Sequence, residues 1–408
     1  MKQTYEPPKE IIKKYADVLV NFALGGGKGI KSGDVVRVVG SEANRPLYVA
    51  LIKAVWDAGG HTIGDYDIDT YSEEDNLDRY FYMNASDKQI DYFKKDFAKG
   101  LAAQMDHQVY VLSDTNPQSL KGVDANKIMR RGVASKPMGE WLDKKENEGK
   151  FTWTMGLYGT EAMAKEAGLS LEEYWDQIIK ACFLDEEDPI AHWKKLYSQI
   201  DNYVKKLDDL NIEKVRVKGD DMNLEIKIGV NRKWKSGSGC NIPSFEIFTS
   251  PDWRGTSGWA KFNQPLYRYG NIIEGIELQF ENGKVVSSKA NKNEDVLKEM
   301  IATEGADKLG EFSLTDSRFS RITKFMAETL YDENVGGKYG NTHIALGKSF
   351  QDCYKGNIAK TTPKEFESMG YNDSSVHTDI VSTANRTVTA TLQDGTEKII
   401  YENGQFTL

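Results

Sequence analysis

The stretch from Gly33 to Ile68 constrains the fold most. "GDVVRVVGS" (Gly33–Ser41) reads as a buried strand, "ANRPLYVALIKAVWDAGG" (Ala43–Gly60) as a helix with a glycine stop, and "HTIGDYDI" (His61–Ile68) as a second strand. A strand, a crossover helix and a further strand form a βαβ unit, which requires a parallel sheet with helices on its faces. "HQVYVLSD" (His107–Asp114) supplies a third apolar strand for that sheet. From about Gly159 to Leu210 the pattern is helical, and Ser170 with Glu173 forms a capping-box signature ahead of "YWDQIIKACF".

From Asn211 the texture changes to alternating strands, in "KVRVKGDDMNLEIKIG" (Lys214–Gly229) and "IEGIELQFENGKVVSSKA" (Ile273–Ala290). Asn282–Gly283, Asp394–Gly395 and Asn403–Gly404 are hairpin signals, because two-residue turns need positive φ. The expected fold class is therefore α/β in two domains. An N-terminal open parallel-sheet domain covers 1–210, and a C-terminal mixed α+β domain covers 211–408. A chain of 408 residues is long enough for each domain to bury its own core.

Charge narrows the function. Fifty-three basic against 62 acidic side chains leave a formal charge of −9, which repels phosphate backbones, so nucleic acid is not an expected partner. No apolar run approaches the ~18 residues of a spanning helix, and the N-terminus lacks a signal-peptide core, so no membrane partner is expected. Cys182, Cys240 and Cys353 are scattered and odd in number, which suggests neither a disulfide framework nor a thiolate zinc site. A cytoplasmic location is expected.

Two glycine-bearing turns invite a nucleotide reading and fail it. "GGGKGIKSGD" (Gly25–Asp34) lacks the GxxxxGK[ST] spacing and precedes a strand instead of following one, and "GSEANRP" carries no GxGxxG. Of five histidines, His61, His107 and His192 have no second histidine at ligand spacing. The other two, His343 in "NTHIALG" and His377 in "VHTDIV", lie near the C-terminus. With 62 acidic residues in 408, a chance His-x-Asp match is common, so His377–Asp379 alone says little. In an extended segment the two share a face, whether at a metal or on a solvated edge strand. Glu246 sits in the apolar string "IPSFEIF", where a carboxylate is costly unless it meets a cation or water. Glu311, in "LGEFSL", reads equally as a ligand or as an edge-strand gatekeeper. Imidazole nitrogens mixed with carboxylate oxygens suit divalent zinc, cobalt or manganese.

Taken in order, "YADVLVNFAL", "RPLYVALIKAVWDAGG", "TNPQSLKGVDANKI", "NIPSFEIFTSP", "GEFSL", "TLYDEN", "HIALG" and "VHTDIV" resemble the aminopeptidase T and aminopeptidase S family of thermophilic-type metallo-aminopeptidases. The resemblance implies two divalent metal ions, zinc, cobalt, manganese or magnesium. Their ligands would be Glu246, Glu311, His343, His377 and Asp379, with Glu246 shared between the ions. It also implies hydrolysis of the N-terminal residue of a peptide with a free N-terminus by metal-activated water, and assembly as a homodimer. Glu311 is the candidate catalytic carboxylate. Two departures stand out. The family tyrosine seven residues after the first histidine is Phe350 here, which motivates the alternative of a metal-binding pseudo-peptidase or regulatory protein without turnover; Tyr354 is a candidate substitute. The glycine-rich link "VGGKYGN" (Val335–Asn341) is longer than the family leads one to expect, with the rim of the site as the place where that length would show.

Overall fold

The structure, a computed structural model, describes residues 4–229, 231–237, 239–268 and 271–408. It comprises two compact units: Met1–Ile190 with Gly239–Ile242, and Ala191–Ser238 with Pro243–Leu408. The division thus falls at Ile190 instead of near residue 210, and the long helix Pro189–Asp209 runs almost wholly within the second unit. Its amphipathic pattern names a buried face without naming the sheet that covers it.

In the first unit β1 (Val35–Ser41), β2 (His61–Asp67), β3 (His107–Leu112) and β4 (Thr152–Leu157) form a parallel sheet in the order β2-β1-β3-β4. The helix Arg45–Asp57 makes the crossover between β1 and β2, burying Leu47, Leu51, Ala54 and Val55. Val36, Val38, Val109 and Val111 fill the sheet interior. The predicted capping box is present: Ser170 Oγ accepts from Glu173 N–H, and the Glu173 carboxylate accepts from Ser170 N–H at 3.0 Å. His107 is tied to Asp34 and Thr152, as befits a structural histidine.

The second unit is antiparallel. Its strands are β5 (Ile212–Gly219), β6 (Met222–Lys227), β7 (Lys235–Ser236), β8 (Glu246–Thr249), β9 (Ser257–Lys261), β10 (Leu266–Arg268), β11 (Asn271–Ile273), β12 (Glu277–Glu281), β13 (Lys284–Lys289), β14 (Leu309–Thr315), β15 (Asn341–Gly347), β16 (His377–Ser382), β17 (Thr387–Leu392), β18 (Glu397–Glu402) and β19 (Gln405–Phe406). Among the described residues they form an eight-stranded sheet, β13-β12-β9-β6-β5-β17-β18-β19, a five-stranded sheet, β16-β15-β14-β8-β7, and the ribbon β10-β11. The three hairpin signals fall where expected, between β12 and β13, β17 and β18, and β18 and β19, with Asn282, Gly283, Gly395, Asn403 and Gly404 at positive φ.

The five-stranded sheet holds the candidate site. Side chains alternate between its faces, and directly paired residues project together. One face carries Ile247, Phe312, Leu314, Ile344, Leu346 and Ile380, all fully buried. Each such side chain contributes about 1.5–3 kcal/mol through removal from water, as an upper bound. The other face is left for polar residues.

At the end of β15, Gly347 pairs with His377 across the β15–β16 ladder. Its φ is +109°, and a Cβ there would lie 1.9 Å from the Val376 carbonyl oxygen. Gly347→Ala is therefore expected to destabilise the protein by about 1–3 kcal/mol, the typical cost of such backbone strain. A lowered urea midpoint with an unchanged slope is the expected reading; a midpoint equal to wild type would show that the ladder does not need this glycine.

Candidate metal centre

The register derives the site. Glu246 pairs with Thr315 and Thr315 with Asn341; Phe248, Ser313, His343 and Val381 form the next row; Glu311, Ala345 and Asp379 form a third; Gly347 meets His377. By alternation Glu246, Glu311, His343, His377 and Asp379 all project from the face opposite the apolar one. Ala345, between Glu311 and Asp379, contributes only a methyl group, so two carboxylates two strands apart look across open space. Gly310 is bulged out of the ladder just before Glu311, locally re-aiming the chain.

The five side chains fall into two groups, Glu246–Glu311–His343 and Glu311–His377–Asp379, and within each a ligand atom from every residue lies within 4.8 Å of the others. His343 Nε2 is 3.3 Å from both Glu246 Oε2 and Glu311 Oε1. His377 Nε2 is 3.6 Å from Glu311 Oε2 and 3.4 Å from Asp379 Oδ1. Glu311, not Glu246, belongs to both groups, with one oxygen turned to each. Strand order explains this: β14 lies between β8 and β15, so Glu311 is within reach of both sides, whereas Glu246 is one strand further from β16. Glu311 is also no edge-strand gatekeeper, since β14 is the central strand. β16 is one of the two edge strands, yet Asp379 on it is buried.

Both imidazoles are oriented from behind. His377 Nδ1 lies 2.9 Å from the Lys348 carbonyl, which can only accept, so Nδ1 carries a proton and Nε2 is the nitrogen turned toward Glu311 and Asp379. His343 Nδ1 is 3.2 Å from Asn341 Oδ1. The Asn341 amide cannot be reversed, because its Nδ2 donates to the carbonyls of Glu333 (2.9 Å) and Val335 (2.7 Å). Ser244 and Ser313 hydroxyls each reach a Glu246 oxygen at 3.3 Å.

A further acidic residue is Glu333, in the string "TLYDEN", to which the resemblance assigns no role. It follows the one-turn helix Thr329–Asp332 and is buried among the charges of Asp379, Glu246, His343 and Glu311. Asn334 Nδ2 donates to Glu333 Oε1 at 3.3 Å and to the Leu330 carbonyl, while its Oδ1 accepts from Phe245 N–H at 2.7 Å, next to Glu246. The neighbouring Asp332 has a different task, closing its own loop by accepting from the N–H groups of Met326 and Glu328. Two consecutive acids inside a buried "LYDEN" string were the available signal, since such burial is costly without partners.

The electrostatics follow from crowding. Burial pushes Glu311 up, the His343 hydrogen bond pulls it back, and the charges of Glu246 and Asp379 raise it again, to about 7. Burial opposes charge on His377, but Asp379 and Glu311 overcome it and raise it to about 9. His343 is likewise opposed by burial and carried well above the ordinary range by Glu246 and Glu311. Burial raises Glu333 well above a normal carboxylate, reinforced by Asp379 and Glu246. Asp379 ends below its ordinary value, because His377 outweighs burial. Several buried carboxylates facing two outward-pointing Nε2 atoms fit hard or borderline divalent cations.

Phe350 stands where a tyrosine was expected, its ring 4.7 Å from that of His377 and 5.7 Å from that of Phe248. Tyr354 packs edge-on against Phe366, with its hydroxyl end beside Gly356. Among the described hydrogen bonds it makes none to the carboxylate groups.

Removing the support behind a ligand should loosen the site without removing a ligand. Asn341→Ala is expected to weaken zinc or manganese binding about 10–100-fold by titration calorimetry, the range for outer partners of metal-bound histidines; unchanged affinity would remove Asn341 from the site. Because the histidines are raised and must be neutral to bind, metal uptake at pH 7 is expected to release protons, and affinity to rise as the pH climbs toward 9. Calorimetry in buffers of different ionisation enthalpy measures that release directly.

The curated aminopeptidase PepS of Streptococcus thermophilus is 26% identical over 98% of both chains, and aminopeptidase AmpS of Bacillus subtilis is 27% identical over 94% of this chain and 96% of the relative. The solved structure of wild-type AmpT from Thermus thermophilus has the same fold, with a TM-score of 0.81 at 23% identity over 98% of this chain and 100% of that one. The thermophilic metalloprotease (M29) family is matched over residues 8–406, and the chain belongs to that family.

Proposed function

We propose that the protein is a metal-dependent aminopeptidase that removes the first residue of peptides at a centre of two divalent ions. The observation that carries this reading is Glu311, whose two oxygens face two separate ligand groups on one sheet face. Glu246, Glu311 and His343 would hold one ion; Glu311, His377 and Asp379 the other; Glu333 lies beside both. Bound divalent ions supply Lewis acidity toward the peptide carbonyl, an anchor for a free amine and a water of lowered pKa.

The protein's own part is to preorganise this set. Lys348 and Asn341 hold the imidazoles with Nε2 forward, the serines hold Glu246, and the apolar reverse face makes the strand floor rigid. Glu311 is the catalytic carboxylate in the sense that it touches both halves of the centre. The ion is zinc, cobalt, manganese or magnesium, since mixed nitrogen and oxygen donors accept any of these and availability decides. A cytoplasmic homodimer is the proposed form. No described helix is long and apolar enough to cross a membrane, and Cys182, Cys240 and Cys353 form no disulfide among the described residues. The competing reading, a metal-holding protein without turnover, draws on the missing hydroxyl at Phe350 alone, and membership of a metalloprotease family weighs against it.

Saturation with zinc, cobalt or manganese should give more than one ion per chain by elemental analysis; less than one would sink the reading. Glu311→Ala should lower the stoichiometry and reduce dipeptide hydrolysis by more than the roughly 10–100-fold of an outer-partner substitution. Glu246→Ala should spare the Glu311–His377–Asp379 group. Chelation should abolish turnover and lower Tm, with both restored by re-adding metal.

A further inference from the structure

We propose that Phe350 and Phe248 form the wall against which the side chain of the substrate's first residue packs, so that this enzyme selects apolar first residues through Phe350. The inference rests on the aminopeptidase reading above and names the substrate class of the same site. Phe350 keeps 38% of its surface exposed although it lies directly against a candidate ligand, its ring 4.7 Å from that of His377 and inclined at 54°. Phe248 meets Phe350 edge-on and shares a sheet row, and hence a face, with Ser313 and His343. Large exposed apolar residues elsewhere in this unit, such as Trp259, Val286 and Ile399, lie on strands of the other sheet.

The ring is also held in place. Phe350 N–H donates to Ser250 Oγ at 2.8 Å, its carbonyl accepts from Cys353 N–H, and the Cys353 carbonyl accepts from Lys233 N–H at 2.8 Å. Asp352 is anchored by Lys235 at 2.7 Å, and Lys235 pairs with Phe248 in the ladder. An exposed aromatic on so constrained a segment costs little entropy when a ligand covers it. In an aminopeptidase the free amine and the first side chain leave the same carbon, so a side chain carried to the centre meets whatever surface adjoins the ligands. Here that surface is a hydrocarbon ring without a donor or acceptor. An apolar side chain gains about fourfold per buried methylene against it, whereas a carboxylate or ammonium group loses water and finds no partner there.

The test compares zinc-loaded wild type with Phe350→Ala and Phe350→Tyr, using Leu-Gly, Phe-Gly, Gly-Gly and Glu-Gly as substrates and calorimetric binding of L-leucine and glycine as a readout apart from turnover. Wild type should favour Leu-Gly and Phe-Gly over Gly-Gly and Glu-Gly by at least about 10-fold in kcat/KM. In Phe350→Ala that ratio should fall to within a few-fold, with L-leucine binding weakened about 10-fold and glycine binding unchanged. Phe350→Tyr keeps the ring and should keep the preference. Normal metal stoichiometry with an unaltered leucine-to-glycine ratio in Phe350→Ala, or no apolar preference in wild type, overturns this proposal alone; wild type holding less than one zinc per chain overturns the functional reading beneath it.

Discussion

Four carboxylates are buried at one face of one sheet, Glu246 7%, Glu311 3%, Asp379 7% and Glu333 8% exposed, and the rest of the second unit is organised around that cost. Each would be expensive to desolvate alone, and crowding makes all of them more so. His343 and His377 face these carboxylates, and that negative charge is what raises both imidazoles against the effect of burial. A divalent cation would offset that charge more fully, so mutual repulsion among the carboxylates favours metal binding. The apolar reverse face, with its fully buried Ile247, Phe312, Leu314, Ile344, Leu346 and Ile380, supplies the stability that allows such a face to exist.

Local chemistry explains what could be read from the sequence. Asn-Gly and Asp-Gly turns encode positive φ in the residues themselves, and Ser170 with Glu173 encodes a helix start, so these features need no knowledge of distant neighbours. Period-two alternation likewise put His377 and Asp379 on one face. Whatever depended on strand order was hidden. That Glu311 joins both groups, and that β14 is central while β16 is an edge, follows from the order β16-β15-β14-β8-β7, which no local pattern specifies. Glu333 was hidden for the same reason: it comes from a helix end, where strand alternation says nothing about direction. The return of Gly239–Ile242 to the first unit rests on Asn241 bridging to Met155, a pairing far apart in sequence.

The candidate ligands come from four separate strands, and Glu333 beside them from a helix end, so their mutual placement has to be fixed by groups that cross between segments. Two buried asparagines do this. Asn334 ties the Glu333 carboxylate to the backbone beside Glu246, and Asn341 ties the Glu333 backbone to the His343 ring. Each amide uses both its donor and its acceptor ends, so neither can turn without leaving a buried polar atom unsatisfied, at about 1–3 kcal/mol.

The same two residues explain how a long glycine-rich link is tolerated between Glu333 and His343. Asn341 closes the base of the link by gripping the Glu333 and Val335 carbonyls, so the residues between begin and end at a fixed point. The link then makes its contacts with other segments: Gly336 N–H donates to the Ile322 carbonyl, and Tyr401 Oη donates to the Tyr339 carbonyl from the β18 strand. Loop closure entropy grows only with the logarithm of length, so extra residues there cost a few tenths of a kcal/mol each at most. What length would otherwise disturb is the geometry at the loop's ends, and the asparagine clamp isolates the ligands from it. Variation in this link can therefore alter the surface around Tyr339 while leaving Glu333 and His343 where the sheet requires them.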